Sequence, residues 1–149
     1  MPLRLTYDHL VCRAAYDCPP DCHRLGACRR KTANWYKAAQ YCRFHGMHLA
    51  AIENERENRV LEAHIQDAGL GHEHFWTSGT DQGEEGRFFW LANGRPVTFE
   101  NWNAGEPNNF QYEDGEKEHC LELWNRDGKG LKWNDSPCSF ETFFLCEVQ

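Results

Sequence analysis

The apolar pattern of this chain changes period near residue 70, and that change limits the folds open to it. Before it, Trp35, Ala38, Ala39 and Cys42 recur at three and four residues. This spacing predicts one buried helix face, with Thr32 as N-cap and Gly46 as stop. A short apolar run, "HLAAI", comes next. Over "NERENRVLEAHIQDAG" a second helix is predicted, with Asn54 as N-cap and Glu57 three residues on, a variant of the capping box. Its stripe is Val60, Leu61, His64, Ile65 and Ala68, and Gly69 closes it. His64 on that stripe is read as a core residue.

Beyond residue 70 the runs are short and aromatic: "HFWTSG", "GRFFWL", "HCLELW", "GLKWND" and "FFLCEV", divided by Gly, Asn, Asp and Pro. These read as strands. "LANGRPVTF" carries an Asn-Gly pair, a strong hairpin signal, and "NRDGKG" reads as a hairpin turn through Asp127-Gly128. Between Asn101 and Glu116 no period exists, and an aperiodic loop of that length inside a compact domain is normally functional. The fold class is α+β: two helices, then antiparallel strands interrupted by one long loop.

The loop's composition asks for a partner. "GEPNNFQYEDGEKEHC" gathers Glu106, Asn108, Asn109, Glu113, Asp114, Glu116 and Glu118 within sixteen positions. Solvation is one explanation. A hard cation is the other, because calcium takes six to eight oxygen ligands from carboxylates, amides and carbonyls. Asn134 and Asp135 in "KWNDSPC" are a second source of such ligands. An EF-hand is excluded, since no twelve-position carboxylate pattern ends in Glu. "HEH" at 72–74 offers nitrogen ligands to a transition metal but is read as ordinary exposed histidine.

The totals narrow the function classes. A net charge of −7 over 149 residues is unlike a nucleic-acid-binding surface, which is basic. Nothing approaches the eighteen apolar residues of a membrane span. No G-x-S-x-G or H-E-x-x-H motif is present, and Ser78 and Ser136 lack an activating context, so an enzyme is not expected. "MPLRLTYDHL" has no apolar core of a secretory signal. The eight cysteines, an even number, still point to an oxidising compartment. Met1 is therefore read as the start of a trimmed or recombinant mature chain, and the protein as secreted. Cys18 and Cys22 leave room for a small zinc knot, with structural disulfides the preferred reading.

These residues carry a resemblance. Cys42, Cys120, Cys138 and Cys146, "WTSGTD" at 76–81, Trp90, "NW" at 101–102, "EPN" at 106–108, "WND" at 133–135 and the closing "FLCE" stand in the order and approximate spacing of the C-type lectin domain family. The chain resembles that family over residues 28–149, leaving 1–27 as a cysteine-rich extension. The resemblance implies the disulfides Cys42–Cys146 and Cys120–Cys138. In the family's longer form it also implies Cys18–Cys28, which leaves Cys12 with Cys22. The Cys120–Cys138 bond would tie Glu118 to the Asn134–Asp135 pair.

It further implies a principal Ca2+ site made by Glu106, Asn108, Glu118, Asn134 and Asp135, with a cis peptide before Pro107. Two sugar hydroxyls complete such a site, each donating to a carboxylate and accepting from an amide. The EPN order goes with mannose-type glycans, whose 3- and 4-hydroxyls are equatorial, and with glucose, N-acetylglucosamine and fucose; QPD goes with galactose. Trp124 and Trp133 are candidates to stack on a sugar, while Trp35, Trp76, Trp90 and Trp102 are assigned to the core.

An auxiliary calcium would use Asp81, Glu85, Asn109 and Glu118. There the chain departs from the family, which places an acid after that glutamate where this chain has His119. Glu113, Asp114 and Glu116 of the lengthened loop either compensate or are solvated. The implied function is a secreted lectin of microbial or host glycans, with a role in innate immunity, and avidity gained by oligomerisation. The alternative is a protein-binding domain on the same fold, using the 109–117 insertion.

Overall fold

The structure, a computed structural model, describes residues 32–148. The N-terminal extension, the Cys18–Cys28 and Cys12–Cys22 pairings and the zinc-knot alternative lie outside the described residues. Helix α1 spans Trp35–Phe44, strand β1 Met47–Leu49, and helix α2 Glu55–Asp67. Then come β2 (Phe75–Thr80), β3 (Phe89–Trp90), β4 (Cys120–Trp124), β5 (Lys132–Ser136), β6 (Phe143–Phe144) and β7 (Cys146–Val148).

The N-cap of α1 is Asn34, whose side chain accepts from Lys37 N–H at 2.8 Å, and not Thr32. Thr32 lies too far upstream because Ala33 is already committed to a backbone bridge with Thr142. The second cap is as expected: Asn54 Oδ1 accepts from Glu57 N–H at 2.8 Å. Glu57 reaches back one residue further than in the usual box, accepting from Glu53 N–H at 2.8 Å. On α2 the fully buried face is Asn58, Leu61 and Ile65; Val60, His64 and Ala68 are half-buried at its margin.

β2 is buried along its whole length and organises the main sheet, whose order is β3-β2-β4-β5, with β6 running parallel to β2. Alternate side chains of a strand point to opposite faces, and β2 serves two cores accordingly. Phe75 joins Leu61, Ile65, Leu121, Leu123, Trp133 and Leu145 beneath α2. Trp76 joins Trp35, Ala38, Phe144 and all four described cysteines beneath α1. Three buried indoles find acceptors: Trp35 Nε1–H donates to Thr77 O at 2.8 Å, Trp76 Nε1–H to Ala33 O at 3.1 Å, and Trp133 Nε1–H to Asn58 Oδ1 at 3.2 Å.

Both disulfides implied for the described residues are formed, Cys42–Cys146 across 104 positions and Cys120–Cys138 across 18. β1 and β7 pair antiparallel beside the first, bringing the two ends of the described segment together. The Asn-Gly segment turns back as predicted: Trp90 N–H donates to Arg95 O at 2.9 Å, and Gly94 holds φ +77°. β4 and β5 form an antiparallel ladder across the Asp127-Gly128 turn, with Glu122 opposite Asn134 and Leu121 opposite Asp135.

Candidate metal centre

Between Leu91 and His119 no regular strand forms, and the chain crosses the open end of the β4–β5 ladder. It is held there by backbone bonds. Asn103 N–H donates to Trp133 O and Trp133 N–H to Asn101 O, both at 2.8 Å. The Glu106–Pro107 peptide is cis. Asp135 fixes the two residues after Pro107, its Oδ1 accepting from Asn108 N–H at 3.1 Å and its Oδ2 from Asn109 N–H at 2.7 Å. Glu118 Oε1 accepts from Phe110 N–H at 3.2 Å and its Oε2 from the Tyr112 hydroxyl at 2.8 Å.

The loop thus delivers Glu106 to Glu118 and Asp135, with one oxygen of each within 4.8 Å of the others. Asn108 and Asn134 line the same cavity of about 300 Å³. Glu118, Asn134 and Asp135 are buried. Three carboxylates so close repel one another in a poorly solvated place. Burial, then the closely apposed Asp135 carboxylate and the charge of Glu118, push Glu106 up to about 7 despite the Arg126 guanidinium. Burial likewise raises Glu118. Its bonds from Tyr112 and Phe110 work in the opposite sense, and the charges of Asp135 and Glu122 add to the rise.

A cation fits this arrangement. Glu106 Oε1 is buried with no hydrogen-bond partner, so one strong acceptor faces the cluster unused. The donor set is carboxylate and amide oxygen throughout, which suits a hard ion and not a soft one.

The auxiliary set assembles differently. Asp81 and Glu85 do meet, but around an imidazole. His119 Nδ1 lies 2.9 Å from Asp81 Oδ1 and 3.4 Å from Glu85 Oε1. Asn109 adopts φ +48°, and its buried Oδ1 has no partner.

Trp133 is wholly buried, in edge-to-face contact with Trp90, Phe99 and Trp102, and so is unavailable to stack on a ligand. Trp124 does line the cavity, stacked on His74 at 4.7 Å. Trp35, Trp76 and Trp90 are buried as assigned, and Trp102 packs half-buried against the core. Within "HEH", His72 pairs with Glu73 and His74 with the buried Glu122.

Three residues of the site, Glu122, Arg126 and Tyr112, escaped the sequence reading. Glu122 Oε1 meets His74 Nδ1 at 2.9 Å, and its Oε2 accepts from Asn134 Nδ2 at 2.9 Å. This turns the Asn134 amide so that its oxygen is free for the cage. Burial depresses the His74 imidazole, but the hydrogen bond and charge of Glu122, with Glu73, outweigh that and raise it. Arg126 Nη1 pairs with Glu106 Oε2 at 3.1 Å. Tyr112 closes the Glu118 side. The period-2 pattern of β4, which puts Glu122 on the face of Cys120 and Trp124, was a usable signal for the first of these. The others depend on loop geometry.

The Lectin C-type domain family model matches residues 31–148. The chain is 36% identical over 122 residues to salivary C-type lectin 2 of Aedes albopictus, covering 78% of each. It is 34% identical over 141 residues to the C-type lectin lectoxin-Enh5 of Pseudoferania polylepis, covering 89% of this chain and 84% of that one. Among solved structures, the carbohydrate-recognition domain of the mouse scavenger receptor C-type lectin superposes with a TM-score of 0.68 at 30% identity. That match covers 80% of this chain and 87% of the other. With the family model spanning all the described residues, two relatives above 30% identity and the same fold, this chain belongs to the C-type lectin domain family.

Proposed function

We propose that the protein is a secreted, calcium-dependent lectin that binds mannose-type glycans at the cage of Glu106, Asn108, Glu118, Asn134 and Asp135. The observation carrying this reading is the cluster of Glu106, Glu118 and Asp135, one oxygen of each within 4.8 Å of the others, in which Glu106 Oε1 is buried without a hydrogen-bond partner. Calcium bound there would supply charge neutralisation and open coordination positions for two adjacent sugar hydroxyls.

The protein's own residues do the rest. Glu106 and Glu118 accept from those hydroxyls, and the Asn108 and Asn134 amides donate to them. Asn134 can do so because Glu122 uses only one of its two amide hydrogens. The EPN order presents acceptor and donor to equatorial 3- and 4-hydroxyls. An auxiliary calcium at Asp81, Glu85, Asn109 and Glu118 would share its site with the His119 imidazole, whose Nδ1 lies 2.9 Å from Asp81 Oδ1 and 3.4 Å from Glu85 Oε1.

The relatives' names, a salivary C-type lectin and a lectoxin, support an extracellular setting. No helix among the described residues is long and apolar enough to cross a membrane. The N-terminal residues 1–27 are read as an extension to the 28–149 domain.

Isothermal titration of methyl α-mannoside, with methyl α-galactoside as control, in calcium and again in EDTA, tests the proposal. Mannoside binding of millimolar order, or about −4 kcal/mol, that needs calcium and exceeds galactoside binding is expected. Calcium heat without any sugar heat would move the assignment to a protein ligand.

A further inference from the structure

Along the rim of the cage cavity runs a row of aromatic rings that the cage does not use. Phe110 and Phe140 are 54% and 45% exposed, two of the five large apolar side chains left exposed among the described residues. Single exposed rings are ordinary, but these two flank Tyr112. Its ring meets Phe110 edge-on at 4.9 Å and Phe140 at 5.5 Å. All three border the concavity lined by Glu106, Asn108, Glu118 and Asn134.

The wall is held in place before any ligand arrives. Gln111 and Lys117 form an antiparallel bridge, and Tyr112 N–H donates to Glu116 O at 2.8 Å, so residues 111–117 make a small hairpin. Its returning arm is stapled to the segment after β5 by the Ser139 hydroxyl, which donates to Glu116 Oε1 at 2.6 Å. Its base is tied to the cage by the Tyr112–Glu118 bond. An apolar surface ordered in this way costs little further entropy when a ligand covers it.

We propose that Phe110, Tyr112 and Phe140 form an apolar subsite beside the cage, which takes a hydrophobic aglycone attached to the cage-bound sugar. The inference rests on the sugar-binding reading above. Two features favour an aglycone over a second sugar. The wall's single polar tip, the Tyr112 hydroxyl, is already engaged by Glu118. The remaining rings give no partners for additional hydroxyls, whose desolvation would go uncompensated.

The test compares phenyl α-mannoside, methyl α-mannoside and α-1,2-mannobiose by isothermal titration in calcium. The proteins are the wild type, the single variants Phe110→Ala and Phe140→Ala, and the double variant, with thermal unfolding as the check on folding. In the wild type the phenyl glycoside is expected to bind about fivefold more tightly than the methyl one, the size of an aromatic contact. That ratio is expected to fall toward one in the variants. A wild-type ratio near one, or a ratio retained in the variants, overturns the subsite while leaving mannose binding intact. Mannobiose gaining more than the phenyl glycoside, with the gain lost in the variants, would give the wall to a second sugar and overturn the aglycone. No binding of either monosaccharide glycoside overturns the sugar reading and this one with it.

Discussion

Glu122 holds one of the proposed calcium ligands, Asn134, by a hydrogen bond. It is buried, opposite Asn134 on β5, and holds that residue's amide nitrogen so that the amide oxygen is left for the cage. Outer-shell partners of this kind typically matter 10–100-fold in metal affinity. Glu122→Gln keeps the volume but offers a donor where an acceptor is needed. Calcium affinity by titration is expected to weaken by about tenfold or more, and an unchanged affinity would sink this role. The titration of Glu106 makes a second prediction. Its carboxyl is raised from 4.5 unfolded to about 7 folded, so between those values the metal-free folded state binds more protons than the unfolded chain. Metal-free stability should therefore rise as pH falls from 7 to 5, and the raised His74 adds to it with the same sign. Calcium must displace that proton, so its affinity should fall over the same range. Thermal melts at pH 7.5 and 5, with and without calcium, should show the calcium-induced increase shrinking toward acid. An increment that grows toward acid contradicts the assignment.

The elements matter here for what they place. Helix α2 lies away from the cage but is coupled to it. Asn58 accepts from the Trp133 indole, and Glu62 Oε2 accepts from Leu131 N–H at 2.9 Å, fixing the start of β5 and hence Asn134 and Asp135. Its own stability depends on a cap that the sequence announced. Asn54→Ala should cost about 1 kcal/mol, the usual value of such a cap, measured by denaturant unfolding in EDTA; a loss within error would show that tertiary contacts alone hold the helix end. The helices were legible because their three- and four-residue spacing and their Asn caps are local signals. The exact start of α1 was not, because the choice of Asn34 over Thr32 turns on Ala33 being paired with Thr142, at the far end of the chain.

At the scale of the whole molecule, the site is a loop laid across a ladder, and the Cys120–Cys138 bond ties the ladder's two strands together at the end where the loop enters β4. The Cys42–Cys146 bond closes a span of 104 positions. In the chain-entropy model such a loop is worth about 4.7 kcal/mol, although that mechanism is disputed. Calcium held at the proposed cage would add to this by linkage. At one hundred times its dissociation constant a ligand specific to the folded state stabilises by about 2.7 kcal/mol. Adding EDTA to the calcium-loaded protein should lower its melting temperature by several degrees. A melting temperature indifferent to calcium and chelator would mean that the carboxylate cluster holds no ion.

By itself the sequence determined the helices, the short aromatic strands, the Asn-Gly and Asp-Gly turns and, through resemblance, which five residues to expect in the cage and which four cysteines to pair. Each of these is written in residue type and short-range spacing. The meeting of Asp81 with His119, the Glu122–Asn134 bond, the burial of Trp133, the Arg126–Glu106 pair and the aromatic rim were decided by the packed chain. They join residues far apart in the chain, or depend on how an aperiodic loop folds over β4 and β5. No local pattern encodes such contacts, because they form only when the strand order and the loop's path are both set.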